Sequence, residues 1–177
     1  MIEGARQVFF SSSFPNLHAL VVHFPVALLP VALLLDLGCL VARARVWLDR
    51  CASTLYVIGT VAAALAFVTG RFAAQGATGL PWEAGAVLAD HGDLGLLTLV
   101  AYAVVTVLRS IVSWLAREDW RIKFGFFRLL ALIASASALV LLALTADRGS
   151  ALVYRHGIGS SPPASLDGRV PSDSRSP

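Results

Sequence analysis

Four long apolar segments dominate this chain and restrict it to a membrane-spanning fold. They lie at about residues 17–42, 51–73, 91–116 and 124–146. Each is long enough to cross the hydrocarbon core of a bilayer, which takes about 20 residues. Hydrophobic residues make up 57% of the chain and charged residues 14%, whereas soluble domains average about 45–50% and about 25%. We therefore predict an all-α integral membrane protein, a bundle of four transmembrane helices in contact with the lipid bilayer.

The remaining residues leave little room for a second domain. Residues 1–16 are predicted to form an N-terminal outer segment, and residues 17–159 the four-helix membrane domain. Residues 160–177 are rich in Ser and Pro and carry too little apolar surface to fold, so we predict a disordered tail. The net charge of +3 comes from basic residues scattered around the spans. Because they form no dense basic stripe, we do not expect a nucleic-acid partner.

The charges between the apolar segments predict the orientation of the bundle. Residues 43–50 and 117–123 contain several Arg or Lys residues, whereas residues 75–90 contain none and include Glu83 and Asp90. Cytoplasmic loops carry an excess of Lys and Arg. The first and third connections are therefore expected in the cytoplasm, with both termini and the middle connection on the outer side.

The four histidines all fall at or near the predicted outer end of the bundle. They are His18, His23, His91 and His156. Imidazole is the commonest metal ligand and is costly to leave without a partner in an apolar environment. His18 and His23 are five residues apart, so on a regular helix they point about 140° away from each other. A shared site is therefore expected between helices, with His23 and His91 as its core.

The surroundings of the two later histidines suggest how each is held. We expect His91 in the first turn of the third helix, where Asp90 and Asp93 would cap the helix or orient the imidazole by a hydrogen bond. His156 is expected about ten residues past the fourth span. The glycine that follows it, Gly157, would allow a tight turn that brings the ring back over the bundle.

One carboxylate, Asp36, lies inside the first apolar segment. An intramembrane acid is costly and is by default a functional hypothesis. Asp36 follows His18 by eighteen residues and so lies nominally on the same helical face. Two interpretations stay open: a site on a proton path, or a structural acid paired with Arg109 or Arg128.

Three pieces of the sequence combine histidine with glycine or proline. They are Leu17-His-Ala-Leu-Val-Val-His-Phe-Pro25, His91-Gly-Asp-Leu-Gly95 and Gly149-Ser-Ala-Leu-Val-Tyr-Arg-His-Gly157. Together they resemble DUF2231, a family of small bacterial predicted membrane proteins. The family pattern has His-Phe-Pro in its first helix, a histidine followed by glycine in its third, and an ending of the form Gly-Gly-x-Leu-Val-Tyr-x-His-Gly. Ala19 and Ser150 depart from it, where the family often has proline and glycine. The resemblance spans about residues 16–159 and implies a four-span protein of the bacterial inner membrane, with no established activity.

Three functional hypotheses fit these features. The first is a b-type haem for electron transfer, because bundle cores hold cofactors between facing helices. His23 and His91 would be its axial ligands, with His18 and His156 as a second pair or as propionate partners. The second is a Zn or Cu site formed by the same four histidines near Asp90 and Asp93. The third is a cofactor-free accessory or assembly subunit of a larger membrane complex, or a homo-oligomer.

Other activities fit the sequence poorly. It contains no nucleophile elbow, paired carboxylates, CxxC motif or phosphate-binding glycine loop. We therefore do not expect a hydrolase or another classical enzyme. No internal repeat is apparent in the sequence, and four spans alone offer little scope for the alternating access of a transporter.

Overall fold

The computed structural model describes four segments of the chain, residues 17–41, 46–77, 79–115 and 126–158. Within them the chain forms four helices, α1 (Leu17–Val41), α2 (Val46–Gln75), α3 (Trp82–Leu115) and α4 (Phe126–Tyr154). All four are long and apolar enough to cross a membrane, and the described segments contain no strand. The predicted all-helical, four-span architecture is therefore confirmed. The predicted outer segment 1–16 and the predicted disordered tail 160–177 lie outside the described residues.

Helix α3 begins at Trp82 and not, as predicted, at residue 91. Pro81 precedes it, and the Pro81 carbonyl accepts a hydrogen bond from the Gly85 N–H at 2.9 Å. The fixed φ of proline suits a helix start, and Glu83 in the first turn interacts favourably with the helix dipole. His91 therefore lies in the third turn of the helix, and Asp90 and Asp93 do not cap it.

Helix α4 also extends beyond its predicted end, to Tyr154 instead of residue 146. It closes at Gly157, whose φ of 66° lies in the left-handed region and whose N–H donates to the Val153 carbonyl at 3.0 Å. Such a glycine closure satisfies the last carbonyls of a helix. Gly157 makes a turn here, as expected, but His156 lies two residues past the end of the helix at Tyr154 and not about ten residues past the span.

The four helices pack in a closed ring. Helix α1 packs against α2 and α4, and α3 packs against α2 and α4, so that α1 and α3 lie diagonally opposite each other, as do α2 and α4. The closest approach involves Gly59 of α2, where a Cβ atom would lie 2.6 Å from Leu29 Cδ2 of α1. A small residue is needed there, as is usual between membrane helices. The buried apolar core consists of Leu29, Ala32, Tyr56, Tyr102, Val105, Ala138 and Leu142.

Large apolar side chains cover the outside of the bundle, among them Leu34, Val104 and Ile133. Such a surface fits contact with lipid and confirms that prediction. The two ends of the bundle differ in chemistry. We call the end that contains His18 and His91 the histidine end, and the end that contains Asp36, Arg109 and Arg128 the arginine end.

Candidate functional site

His18 lies half-buried near the start of α1 and is held by helix α2. Its Nδ1 atom lies 2.9 Å from the carbonyl oxygen of Ala66. Because a carbonyl can only accept a hydrogen bond, Nδ1 carries the proton and donates it. The neutral imidazole then keeps a lone pair on Nε2, which is the form that can bind a metal.

His91 is held in the same way in the other half of the bundle. Its Nδ1 atom lies 3.0 Å from the carbonyl oxygen of Thr145 on α4. By the same argument Nδ1 donates, and in the neutral form of the ring Nε2 keeps its lone pair. The sequence suggested that Asp90 or Asp93 would orient this ring. Instead, a backbone carbonyl does so, and both acids line an open hollow of about 310 Å³ beside α3, with Leu94, Leu97 and Arg148.

The two imidazoles meet each other across the bundle. Their ring centroids are 6.1 Å apart and the planes are inclined by 78°. Each ring packs on a glycine: a Cβ atom on Gly70 would lie 2.9 Å from His18 Cε1, and one on Gly149 would lie 3.0 Å from His91 Cε1.

The other two histidines do not join this pair. His23 is exposed, and its Nδ1 lies 2.6 Å from the Ala19 carbonyl of its own helix. His156 is half-buried just beyond the end of α4. The pair that the sequence suggested as the core, His23 and His91, is therefore not the pair that the structure brings together. His18 takes the place of His23, since the angular separation of the two allows only one to face the interior.

The arginine end contains a buried ion cluster centred on Asp36. Arg109 donates from Nε to Asp36 Oδ2 at 2.9 Å and from Nη2 to Asp36 Oδ1 at 2.5 Å. Arg128 Nη2 lies 3.3 Å from the same Oδ1 atom. Asp36 is 1% exposed. Of the two interpretations left open for Asp36, this geometry supports the structural acid, and both expected arginines contact it.

Asp49 completes the cluster, and the sequence analysis did not single it out. Arg109 Nη2 lies 2.9 Å and Arg128 Nη1 3.5 Å from Asp49 Oδ1, while Arg109 Nη1 donates to Ser113 Oγ at 2.7 Å. Two carboxylates thus face two guanidiniums. Residues 43–50 contain three arginines besides Asp49, which favours a loop. Helix α2 nevertheless begins at Val46, so Asp49 lies in its first turn. An acid among arginines just before an apolar segment was the available signal.

One protein family matches most of the chain. The family described as a predicted membrane protein, DUF2231, matches residues 15–162. The chain belongs to this family. No curated protein and no solved structure matches it significantly. The match includes all four helices of this DUF2231 protein.

The three sequence pieces that resemble DUF2231 motifs converge in space. The first carries His18, the second carries His91, and the third begins at Gly149, which packs against the His91 ring. The rings of His18 and His91 lie edge to face at the histidine end. Each of the three pieces therefore contributes one residue to the imidazole pair or its packing, namely His18, His91 and Gly149, which makes the histidine end the candidate functional site.

Proposed function

We propose that this DUF2231 protein binds a transition metal between His18 and His91 and uses it for electron transfer. For electron transfer the metal is the iron of a b-type haem or a copper ion, whereas Zn bound by the same residues would have a structural role, because Zn has no redox chemistry. One observation carries the proposal. Two neighbouring imidazoles each direct Nδ1–H to a backbone carbonyl, at 2.9 Å and 3.0 Å, so that both Nε2 lone pairs remain available as ligands.

The contacts with backbone carbonyls would hold each imidazole in the orientation and tautomer that a metal ligand needs. A histidine that binds a metal usually donates its other N–H to a carbonyl or carboxylate, which fixes the tautomer and the ring orientation. Ala66 O and Thr145 O have this role for His18 and His91. Glycine at positions 70 and 149 lets both rings approach the neighbouring helices closely.

The orientation of the site in the membrane is part of the proposal. Arg109 and Arg128 lie at the arginine end, the sequence between α1 and α2 and between α3 and α4 is basic, and basic residues favour the cytoplasmic side. The histidine end then faces the periplasm of a bacterial inner membrane, where a quinone or a periplasmic carrier could exchange electrons. Reporter fusions after Trp82 should report the periplasm, and a cytoplasmic signal there would overturn this orientation.

A second candidate function is a cofactor-free accessory or assembly subunit of a larger membrane complex. The same contacts favour it, because His18 joins α1 to α2 and His91 joins α3 to α4 through hydrogen bonds that need no metal. Polar contacts of this kind commonly stabilise membrane helices.

Optical spectra and metal analysis of the purified protein distinguish the two functions. Protein extracted from membranes of haem-replete cells should show a Soret band that shifts on reduction, or about one equivalent of bound metal. His18→Ala and His91→Ala should each abolish that signal. His23→Ala is the matched control and should retain it. Absence of a Soret band together with less than about a tenth of an equivalent of metal would reject the metal site and leave the accessory role.

A further inference from the structure

The inward-facing residues of α1 and α3 occupy equivalent positions. Asp36 and Arg109 are 73 residues apart. The same separation relates each of the remaining buried residues of α1 to a buried residue of α3. The pairs are Pro25 and Thr98, Leu29 and Tyr102, Ala32 and Val105, Asp36 and Arg109, and Cys39 and Val112. His18 and His91 have this separation too.

Helices α2 and α4 correspond in the same manner. Tyr56 and Ser135 are 79 residues apart, and the same separation relates most buried positions of the two helices. Examples are Ala52 and Ala131, Tyr56 and Ser135, Gly59 and Ala138, and Ala63 and Leu142. Asp49 and Arg128 also follow it. The first hairpin, α1 and α2, is therefore equivalent to the second hairpin, α3 and α4.

Specific contacts repeat with the burial pattern. His18 donates to Ala66 O and packs on Gly70, whereas His91 donates to Thr145 O and packs on Gly149. Each glycine is four residues after its carbonyl acceptor. The two histidines are related by the separation of 73 residues, and the two acceptors and the two glycines by the separation of 79 residues. Few identical residues accompany the pattern, so the repeat becomes visible only when the buried faces are known.

The equivalent burial and contacts indicate that the two hairpins are related by an approximate two-fold axis that runs along the bundle. A residue on such an axis meets its own counterpart, and the side-chain contacts across the diagonals of the bundle do this. They join His18 to His91, Asp36 to Arg109, Tyr56 to Ser135, and Asp49 to Arg128. The axis therefore passes through the imidazole pair and through the ion cluster.

At the arginine end, equivalent positions of the two hairpins carry opposite charges. Both acids, Asp36 and Asp49, belong to the first hairpin, and both arginines, Arg109 and Arg128, belong to the second. Each acid contacts both arginines within 3.5 Å. Two first hairpins would bring four carboxylates together at this position, and two second hairpins would bring four guanidiniums together. Buried like charges are costly, so neither assembly is favourable.

We propose that this inversion selects the partner of each hairpin. The inner face of α1 and α2 fits a hairpin with arginine at the two equivalent positions, and it rejects a copy of itself. Specificity of this kind combines attraction to one partner with repulsion of another. The proposal concerns the arginine end alone and does not depend on a metal at the histidine end.

Charge exchange in the full chain tests the proposal. Asp36→Arg/Asp49→Arg places four arginines in the cluster, and Arg109→Asp/Arg128→Asp places four acids there. Each double variant should lose at least tenfold of its yield of folded, monodisperse protein. The quadruple variant exchanges all four charges and should recover at least half of the wild-type yield. It is matched to the wild type, because it has the same net charge and the same number of arginines at that end.

Co-expression of the two double variants with different tags gives an independent test. Each variant carries the hairpin that the other needs, so hairpins should exchange between chains, as in domain swapping. One of the two bundles formed in this way restores the wild-type set of charges. The tags should co-purify at least tenfold more than those of two wild-type chains. Recovery in either test supports the proposal. Lack of recovery both in the quadruple variant and on co-expression would overturn it.

Discussion

Asp36 and Arg109 meet through two parallel hydrogen bonds, Nε to Oδ2 at 2.9 Å and Nη2 to Oδ1 at 2.5 Å. Both side chains are 2% exposed, and they join two helices that lie diagonally across the bundle. Bidentate contacts between arginine and carboxylate are the strong class of charged hydrogen bonds. Loss of the carboxylate would leave a buried guanidinium short of charge compensation.

We therefore predict that Asp36→Asn, which preserves shape and removes the charge, destabilises the protein strongly. Removal of one partner from a buried ion pair typically costs about 3–5 kcal/mol. Unfolding by SDS in mixed micelles should measure the loss. Leu37→Ala is the neighbouring control, because Leu37 is 44% exposed on the apolar surface. Equal stability of the two variants would contradict the structural role of the pair.

The glycines under the imidazoles provide a second prediction. Gly70→Ala would place Cβ 2.9 Å from His18 Cε1, and Gly149→Ala would place it 3.0 Å from His91 Cε1. Overpacking of this kind costs about 1–3 kcal/mol. Gly92→Ala meets nothing within 4 Å and should be neutral or stabilising, because alanine favours a helix by up to about 1 kcal/mol over glycine. Thermal unfolding in detergent should separate the two classes, and the same sign for all three variants would refute the prediction.

The close approach of α1 and α2 gives a third prediction. A Cβ atom at position 59 would lie 2.6 Å from Leu29 Cδ2 and 2.8 Å from Leu29 Cγ. Gly59→Ala should destabilise the bundle, and Leu29→Ala should relieve the clash. In a double-mutant cycle the two changes should couple by about 0.5–3 kcal/mol. Additive effects would show that positions 29 and 59 do not interact, and would contradict this contact.

Two buried tyrosines near the axis should respond differently to loss of their hydroxyl groups. The Tyr56 hydroxyl donates to Ser135 Oγ at 2.9 Å, whereas the Tyr102 hydroxyl has no hydrogen-bond partner within the described part of the chain. Hydrogen bonds between membrane helices average about 0.6 kcal/mol. Tyr56→Phe should cost about that much in an unfolding measurement. Tyr102→Phe should be neutral or stabilising, because an unpaired buried hydroxyl is itself unfavourable. The opposite order would contradict the contact assignments.

The sequence predicts the number of helices and one of their key contacts. Composition and segment length suffice for four spans, and the cost of a carboxylate in an apolar helix makes pairing of Asp36 with Arg109 or Arg128 one of two interpretations, which the structure then favours. Helix ends were harder to place. Glu83 and Asp90 favour a connection over residues 75–90, but α3 already begins at Trp82, because a helix can extend past the hydrocarbon core into water. Helix α4 likewise continues past its predicted end to Tyr154.

Pairings across the bundle could not be read from the sequence. His18 and Asp36 share a helical face by their spacing of eighteen residues, but the spacing of His18 and His23 shows only that the two rings point apart and not which of them faces inward. Helix α1 continues through Pro25 and Pro30, and both His18 and Asp36 contact neighbouring helices. The repeat of the two hairpins escaped notice for a different reason. It preserves which positions are buried and leaves few of their residue types unchanged.

Both imidazole anchors at the histidine end are main-chain oxygens, and this affects how the protein tolerates mutation. The acceptor for His18 belongs to an alanine and the acceptor for His91 to a threonine, yet the two contacts differ by only 0.1 Å, at 2.9 Å and 3.0 Å. No substitution at position 66 or 145 can delete a carbonyl oxygen. The hydrogen bonds that orient the rings therefore do not depend on which side chain stands at position 66 or 145, so substitutions that disturb the rings directly are expected at the histidines and at the glycines beneath them.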